Sequence, residues 1–341
     1  MPRQYRRIYV PVDNSGHSFA AIDIAVDLAT KFDAVLVGSH VFAPGTTESY
    51  LDLMEECCRT ASVKFERHAL GGRQHKMILE DIRNDQYDLV IMGALGAGAV
   101  DESQIGSVAD RVIRGATTDI LIVKDLIPDP DGRILVAVDG SEASLQALGA
   151  AVEFARSTGH TAEGIVVGQG RLSGRASAAL ESARAAAAAE GAELSITVTE
   201  GKPFDRILKH CREKRPWLLV VGKTGADMEE SDDMGSLGSA LGSTTDNLLR
   251  MVPCNILVTP CAQAAGERGT DPAVVSTAAP ALQAARRTLK WAADAERLLA
   301  DVPADQRVEV IRTVEEGARK MGITVITAET IDKVMLGYID S

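Results

Sequence analysis

A stretch beginning at Arg7, RIYVPVDNSGHSFAAIDIAVDLA, returns at Arg133 as RILVAVDGSEASLQALGAAVEFA. Two copies of one unit constrain the fold more than any other feature, because a similar pattern must make the same local structure twice. In both, a short β-branched run ends at an aspartate, Asp13 or Asp139. Small turn residues follow, then a helix with apolar residues at 3.6 spacing. Ser15 or Ser18 in the first copy, and Ser141 or Ser144 in the second, are candidate helix N-caps. Two more landmarks recur: YDLVIMGALG (87–96) as PWLLVVGKTG (216–225), and GSVADRVIRGATTDILIV (106–123) as GSTTDNLLRMVPCNILV (242–258). The spacing between matched landmarks widens along the chain, so the second copy carries insertions, the largest between Gly225 and Gly242.

Each copy reads as five strands alternating with four helices. The first predicts strands at 8–12, 34–41, 62–69, 89–92 and 120–123, and the second at 134–138, 162–167, 194–199, 218–221 and 256–259. Hydrophobic residues are 45% of the chain and aromatics only 4%, so aliphatic side chains must fill the interior, as strand–helix alternation requires. Right-handed crossovers then give a parallel sheet covered on both faces. The fold class is α/β, with two tandem doubly wound parallel-sheet domains, residues 1–127 and 131–262. DLIPDPDG (125–132) is too short to separate them, so the copies pack on each other. Residues 263–288 mix Pro, Gly, Ala and Thr without periodicity and read as a linker. Residues 289–341 read as a small helical domain of two or three short amphipathic helices, with Trp291, Leu298, Val302, Val310, Ile311 and Val314 as its apolar stripe.

The net charge of −12 excludes an ordinary nucleic-acid role, which needs clustered Lys and Arg to displace counterions. No run of about 18 apolar residues occurs, and the basic N-terminus passes into IYVPVD without an apolar segment. A soluble cytoplasmic protein is expected, with no membrane partner. Cys57, Cys58, Cys211, Cys254 and Cys261 lack metal-ligand spacing and read as reduced thiols, so no metal site is expected from them. Cys57 and Cys58, although near His68 and His75, point about 100° apart on a helix and chelate poorly.

The chemistry concentrates in GALGAGAVDESQIGSV (93–108), which leaves the fourth strand and opens a helix. Doubly wound sheets bind ligands outside the carboxyl ends of their strands, where strand order reverses, and if the order is 3-2-1-4-5 Asp13 lies beside this loop. Gly106, Ser107 and Val108 open a helix whose free N–H groups favour an anion. This pairing of VPVDNS with a G-x2-G-x9-G-S loop resembles the universal stress protein family in its ATP-binding branch, over residues 3–262. The resemblance implies an adenine nucleotide alpha hydrolase-like fold and an adenine nucleotide ligand, ATP or else AMP or ADP. It implies that Asp13 and the backbone of Pro11 and Val12 contact adenine, and that Val41 packs on the base. Met92 and Gly93 would line the ribose, Gly96 the ribose or phosphates, and Gly106, Ser107 and Val108 the phosphates. AGAVDESQI offers two acids, Asp101 and Glu102, and no basic residue, so a Mg ion or a less charged nucleotide enters consideration.

In the second copy Asp139, Val167, Gly222, Gly225, Gly242 and Ser243 match. Gly242–Ser243 is preferred to Gly235–Ser236 because loops change length more readily than helices. The acids of this insertion repel phosphate, so the second copy is expected either to bind nucleotide less well or to complete a pseudo-dimer. Family members commonly pair their last strands across a two-fold axis; here ILIV and NILV could do so within one chain, or the chain forms a homo-oligomer. The C-terminal region resembles the small helical domain of a light-independent protochlorophyllide reductase subunit, on Trp291, the Val302–Pro303 pair, Arg312, EEGAR (315–319) and GITVITAE (322–329). Without cluster-binding cysteines it implies docking to a protein partner rather than that enzyme's chemistry. The functional expectation is a regulatory, stress-responsive nucleotide-binding protein without catalytic residues. A slow ATPase or phosphotransferase and a nucleotide-independent scaffold are the alternatives.

Overall fold

The computed structural model describes residues 4–13, 15–42, 49–96, 105–124, 132–168, 174–225 and 241–260, and scattered positions from 290 to 334. The chain divides into two compact units, Met1–Gly269 and Thr270–Ser341.

In the first unit, β1 (Arg7–Pro11), α1 (Gly16–Phe32), β2 (Val35–Phe42), α2 (Ser49–Thr60), β3 (Phe65–Gly71), α3 (Gln74–Asn84), β4 (Leu89–Gly93), α4 (Ser107–Gly115) and β5 (Asp119–Val123) form the first copy. The second repeats the order as β6 (Ile134–Val138), α5 (Glu142–Thr158), β7 (Ala162–Gly168), α6 (Gly174–Ala189), β8 (Ser195–Glu200), α7 (Pro203–Lys214), β9 (Leu218–Gly222), α8 (Ser243–Met251) and β10 (Asn255–Thr259). Ser15 and Ser141 are the N-caps of α1 and α5, each accepting the backbone N–H three residues on. The third strand starts later than its apolar pattern predicts. Ser62 takes a left-handed φ of 59°, and the Val63 N–H returns to the Cys58 carbonyl, so residues 61–63 are used to close α2.

All ten strands form one sheet, ordered β3-β2-β1-β4-β5-β10-β9-β6-β7-β8. Each half is parallel in 3-2-1-4-5 order. The halves meet where β5 and β10 run antiparallel, with Leu121 opposite Leu257 and Ile122 opposite Ile256. The alternative of pairing last strands within one chain is therefore realised, and β5 and β10 are buried at every position. Side chains alternate between two cores. Ile8, Val10, Leu89 and Ile91 pack with α1, α2, α5 and α6, while Tyr9, Val90 and Met92 pack with α3, α4, α7 and α8.

The second unit departs from the all-helical expectation. Lys290–Trp291 and Val325–Ile326 pair as a short parallel ladder, β11 and β12, the latter inside GITVITAE, whose β-branched residues suit a strand. Described helical positions include Ala295, Val314, Ala318 and Ile331. Ala295, Val314, Ala318 and Ile326 form its small buried cluster. The linker at 263–288 lies outside the described residues, as does Cys261.

Candidate functional site

Asp13 leaves the carboxyl end of β1 and is fixed by α1. Its Oδ1 accepts from the Ser15 N–H at 3.0 Å and from the Ser18 hydroxyl at 2.7 Å. Its Oδ2 is turned toward Gly96, where a Cβ would lie 2.7 Å away. Asp139 repeats this: Oδ1 accepts from the Ser141 N–H at 3.0 Å, and a Cβ at Gly225 would come within 2.9 Å of Oδ2. Gly96 and Gly225 are thus glycines because a carboxylate approaches their backbone.

Gly93 and Gly222 have a different cause. A Cβ on Gly93 would meet His17 Cβ at 2.7 Å and its carbonyl carbon at 2.9 Å, and one on Gly222 would meet the Ala143 carbonyl carbon at 2.8 Å. These two let the first turns of α1 and α5 sit on the strand ends. Gly106 and Gly242 cap α4 and α8, donating to the carbonyls of Ala94 at 2.8 Å and Lys223 at 2.9 Å. The identical bond selects Gly242–Ser243 as the counterpart of Gly106–Ser107; Gly235–Ser236 lies outside the described residues.

Neither α4 nor α8 receives a side-chain cap. Helices α3 and α7 lack one too, so the uncapped start alone identifies nothing. What distinguishes α4 and α8 is that they begin against the loop that carries the aspartate-facing glycine, with Ser107 and Ser243 exposed and Val108 half-buried. Pro11, Val12, Val41 and Met92 are buried in the first copy, and Val167, half-buried, lines the cavity of the second. The acid-rich stretches 97–104, with Asp101 and Glu102, and 226–240 lie outside the described residues.

A cavity of about 420 Å³ opens in the second copy between Asp139, Gly225, Gly242 and Ser243. Sequence reasoning overlooked three of its residues. Arg175, in the first turn of α6, and Thr244 and Thr245 of α8 line it. The signal for Arg175 was its place at the start of the helix after β7. In the first copy the overlooked residue is His40, buried with Nδ1 2.8 Å from the Val12 carbonyl, which ties the end of β2 to that of β1.

Lys223, in the GKTG of the second loop, does not enter the cleft. Its Nζ donates to the carbonyls of Arg114 at 2.7 Å and Ala116 at 3.1 Å, across the seam at the end of α4. Burial, with Arg114 adding repulsion, lowers its pKa to about 8.

The Universal stress protein family model matches residues 4–57, 48–124 and 132–260. A universal stress protein of Methanocaldococcus jannaschii is 29% identical over 140 residues, 35% of this chain and 82% of the relative. Universal stress protein YxiE of Bacillus subtilis is 29% identical over 150 residues, 37% of this chain and 97% of the relative. Among solved structures, a universal stress protein from Archaeoglobus fulgidus aligns with a TM-score of 0.58 at 22% identity, over 75% of this chain and 99% of that one. A Pseudomonas aeruginosa protein aligns at 0.62 and 18%, over 78% of this chain and 96% of that one. These structural likenesses speak to fold. With the repeated family match, they establish that the chain belongs to the universal stress protein family, as a tandem of two copies joined in one sheet.

Proposed function

We propose that this stress-family protein binds an adenine nucleotide, ATP or its less charged relatives AMP and ADP, and acts by occupancy rather than by turnover. The carrying observation is that one constellation is built twice: a strand-end aspartate, a glycine facing its carboxylate, and a glycine-capped helix start. In the first copy the binding set is Pro11, Val12, Asp13, Val41, Met92, Gly93, Gly96, Gly106, Ser107 and Val108. In the second it is Asp139, Val167, Gly222, Gly225, Gly242 and Ser243, where a cavity of about 420 Å³ with Arg175 in its wall supports the reading. An aspartate that accepts from amino groups suits the purine. The first-turn N–H groups of α4 and α8, which receive no side-chain cap among the described residues, suit phosphate oxygens, with Mg2+ relieving residual charge.

Native mass spectrometry of the protein as purified, with calorimetry against ATP, ADP and AMP, tests this. A co-purified adenine nucleotide, or saturable heat with at least one of the three, is expected. Silence from all three overturns it. No described helix is long and apolar enough to cross a membrane, and the cytoplasm is the compartment proposed. Residues 289–341 are proposed as a docking piece for a protein partner, on their resemblance to the reductase domain. Loss of partner capture on deleting them is the expected result.

A further inference from the structure

On the α3 face of the first copy lies a second polar cluster, made of none of the residues in the proposed nucleotide-binding set. His68 projects from β3, an edge strand of the sheet, toward Asp81 in the last turns of α3 and Asp85 at its C-cap. Asp81 and Asp85 are four residues apart and so lie on one side of the chain as α3 ends. His68 Nδ1 is 3.1 and 3.0 Å from the two oxygens of Asp81, and Nε2 is 3.9 Å from Asp85 Oδ2. One donor atom from each residue falls within 4.8 Å of the others.

The charge in this cluster is unbalanced. Two carboxylates face one imidazole, and the Asp81 side chain is only 10% exposed. The nearest guanidinium, Arg7, is 3.9 Å from Asp85 but is held in a two-point bond to Glu66 at 3.0 and 2.9 Å. Asp85 is also oriented from behind. The Tyr87 hydroxyl, in a ring stacked on Tyr9, donates to Asp85 Oδ2 at 3.1 Å and lies 3.4 Å from His68 Nδ1. Outer partners of this kind set the direction of metal ligands.

We propose that His68, Asp81 and Asp85 form a binding site for one divalent transition-metal ion of the zinc class. An imidazole with two carboxylates suits a borderline cation better than Mg2+ or Ca2+, which prefer all-oxygen sets. Donor atoms around a tetrahedral ion with bonds of about 2.1 Å stand about 3.4 Å apart, or about 3 Å where water expands the shell. The His68–Asp81 separation already has that size. The remaining gap closes by rotation of Asp85, whose side chain is 41% exposed. Water completes the shell from the open side. The ion joins the edge strand β3 to α3, so its effect is to hold the outer rim of the first copy rather than to catalyse a reaction.

The test is titration of chelator-treated full-length protein with Co2+, read by its visible absorption, then with Zn2+ in competition. One Co2+ per chain is expected, displaced by Zn2+, with a melting temperature raised by a few degrees when Zn2+ is saturating. His68→Gln and Asp85→Asn, both at partly exposed positions that the fold tolerates, are each expected to weaken binding about 10- to 100-fold. Cys57→Ser is expected to leave it unchanged. Absence of a saturable Co2+ signal, its survival in the double variant H68Q/D85N, or its loss in Cys57→Ser overturns the proposal.

Discussion

At the scale of single residues, the glycines of the two loops separate into two physical classes. Gly93 faces backbone and the root of His17, neither of which can move without shifting α1. Gly93→Ala is therefore expected to cost about 2 kcal/mol of stability by overpacking, read as a lower urea midpoint at an unchanged m-value. Gly96 faces only the tip of Asp13, and a carboxylate can rotate. Gly96→Ala is expected to cost under about 1 kcal/mol yet to weaken nucleotide binding tenfold or more, because the displaced carboxylate is the proposed purine reader. Calorimetry beside urea unfolding distinguishes the two. Equal stability losses would contradict the division.

Among elements, the ends of α4 and α8 are joined across the seam by a reciprocal device. Lys124, just after β5, donates to the carbonyls of Leu249 at 2.9 Å and Val252 at 2.8 Å at the end of α8. Lys223, just after β9, does the same at the end of α4. A cation at a helix C-terminus meets both the negative end of the dipole and carbonyls that would otherwise lack partners. Either lysine replaced by Met is expected to cost about 2 kcal/mol in urea unfolding, because buried carbonyls are left unsatisfied. Burial lowers the Lys124 pKa to about 8 from the 10.5 of an unfolded chain. Above pH 8 the folded lysine sheds a proton that the unfolded one keeps, so this group makes the unfolding free energy rise with pH. The Cys58 thiol, pushed up to about 11 by burial, acts oppositely above about pH 9. The measurement is thus the difference between wild type and Lys124→Met from pH 7.5 to 9, and the wild type is expected to gain relative to the variant as pH rises.

For the whole molecule, the decisive contact is the antiparallel pairing of β5 with β10. Charges flank this seam: Arg114 reaches Asp246 at 2.7 Å and Arg250 reaches Asp110 at 3.3 Å, each bridging the copies. Without its partner, β5 (DILIV) would present four apolar residues and a row of unpaired amides. A fragment of residues 1–127 is therefore expected to dimerise through β5, and light scattering should give twice the monomer mass. Ile122→Lys in that fragment is expected to return a monomer or an insoluble chain. A soluble monomeric wild-type fragment would contradict the edge argument.

The repeat and the class of each element were legible in the sequence. They rest on short-range matters: β-branched runs, turn residues after Asp13 and Asp139, and helical periodicity. The strand order was the condition on which Asp13 stands beside the Gly93 loop, and the sheet meets that condition in both copies. Even there, local chemistry misjudged the start of β3, because Ser62 was needed to end α2, and it missed the two strands of the C-terminal piece, where a ladder two residues long leaves almost no periodic signal. The tertiary structure alone decided what joins residues far apart in the chain. It set β5 against β10, sent Lys223 away from its own loop, brought Arg175 to a cavity wall, and gathered His68 with Asp81 and Asp85. Each depends on which surfaces meet once the chain has folded: within one copy for Arg175 and for the His68 cluster, and across the seam for β5, β10 and Lys223.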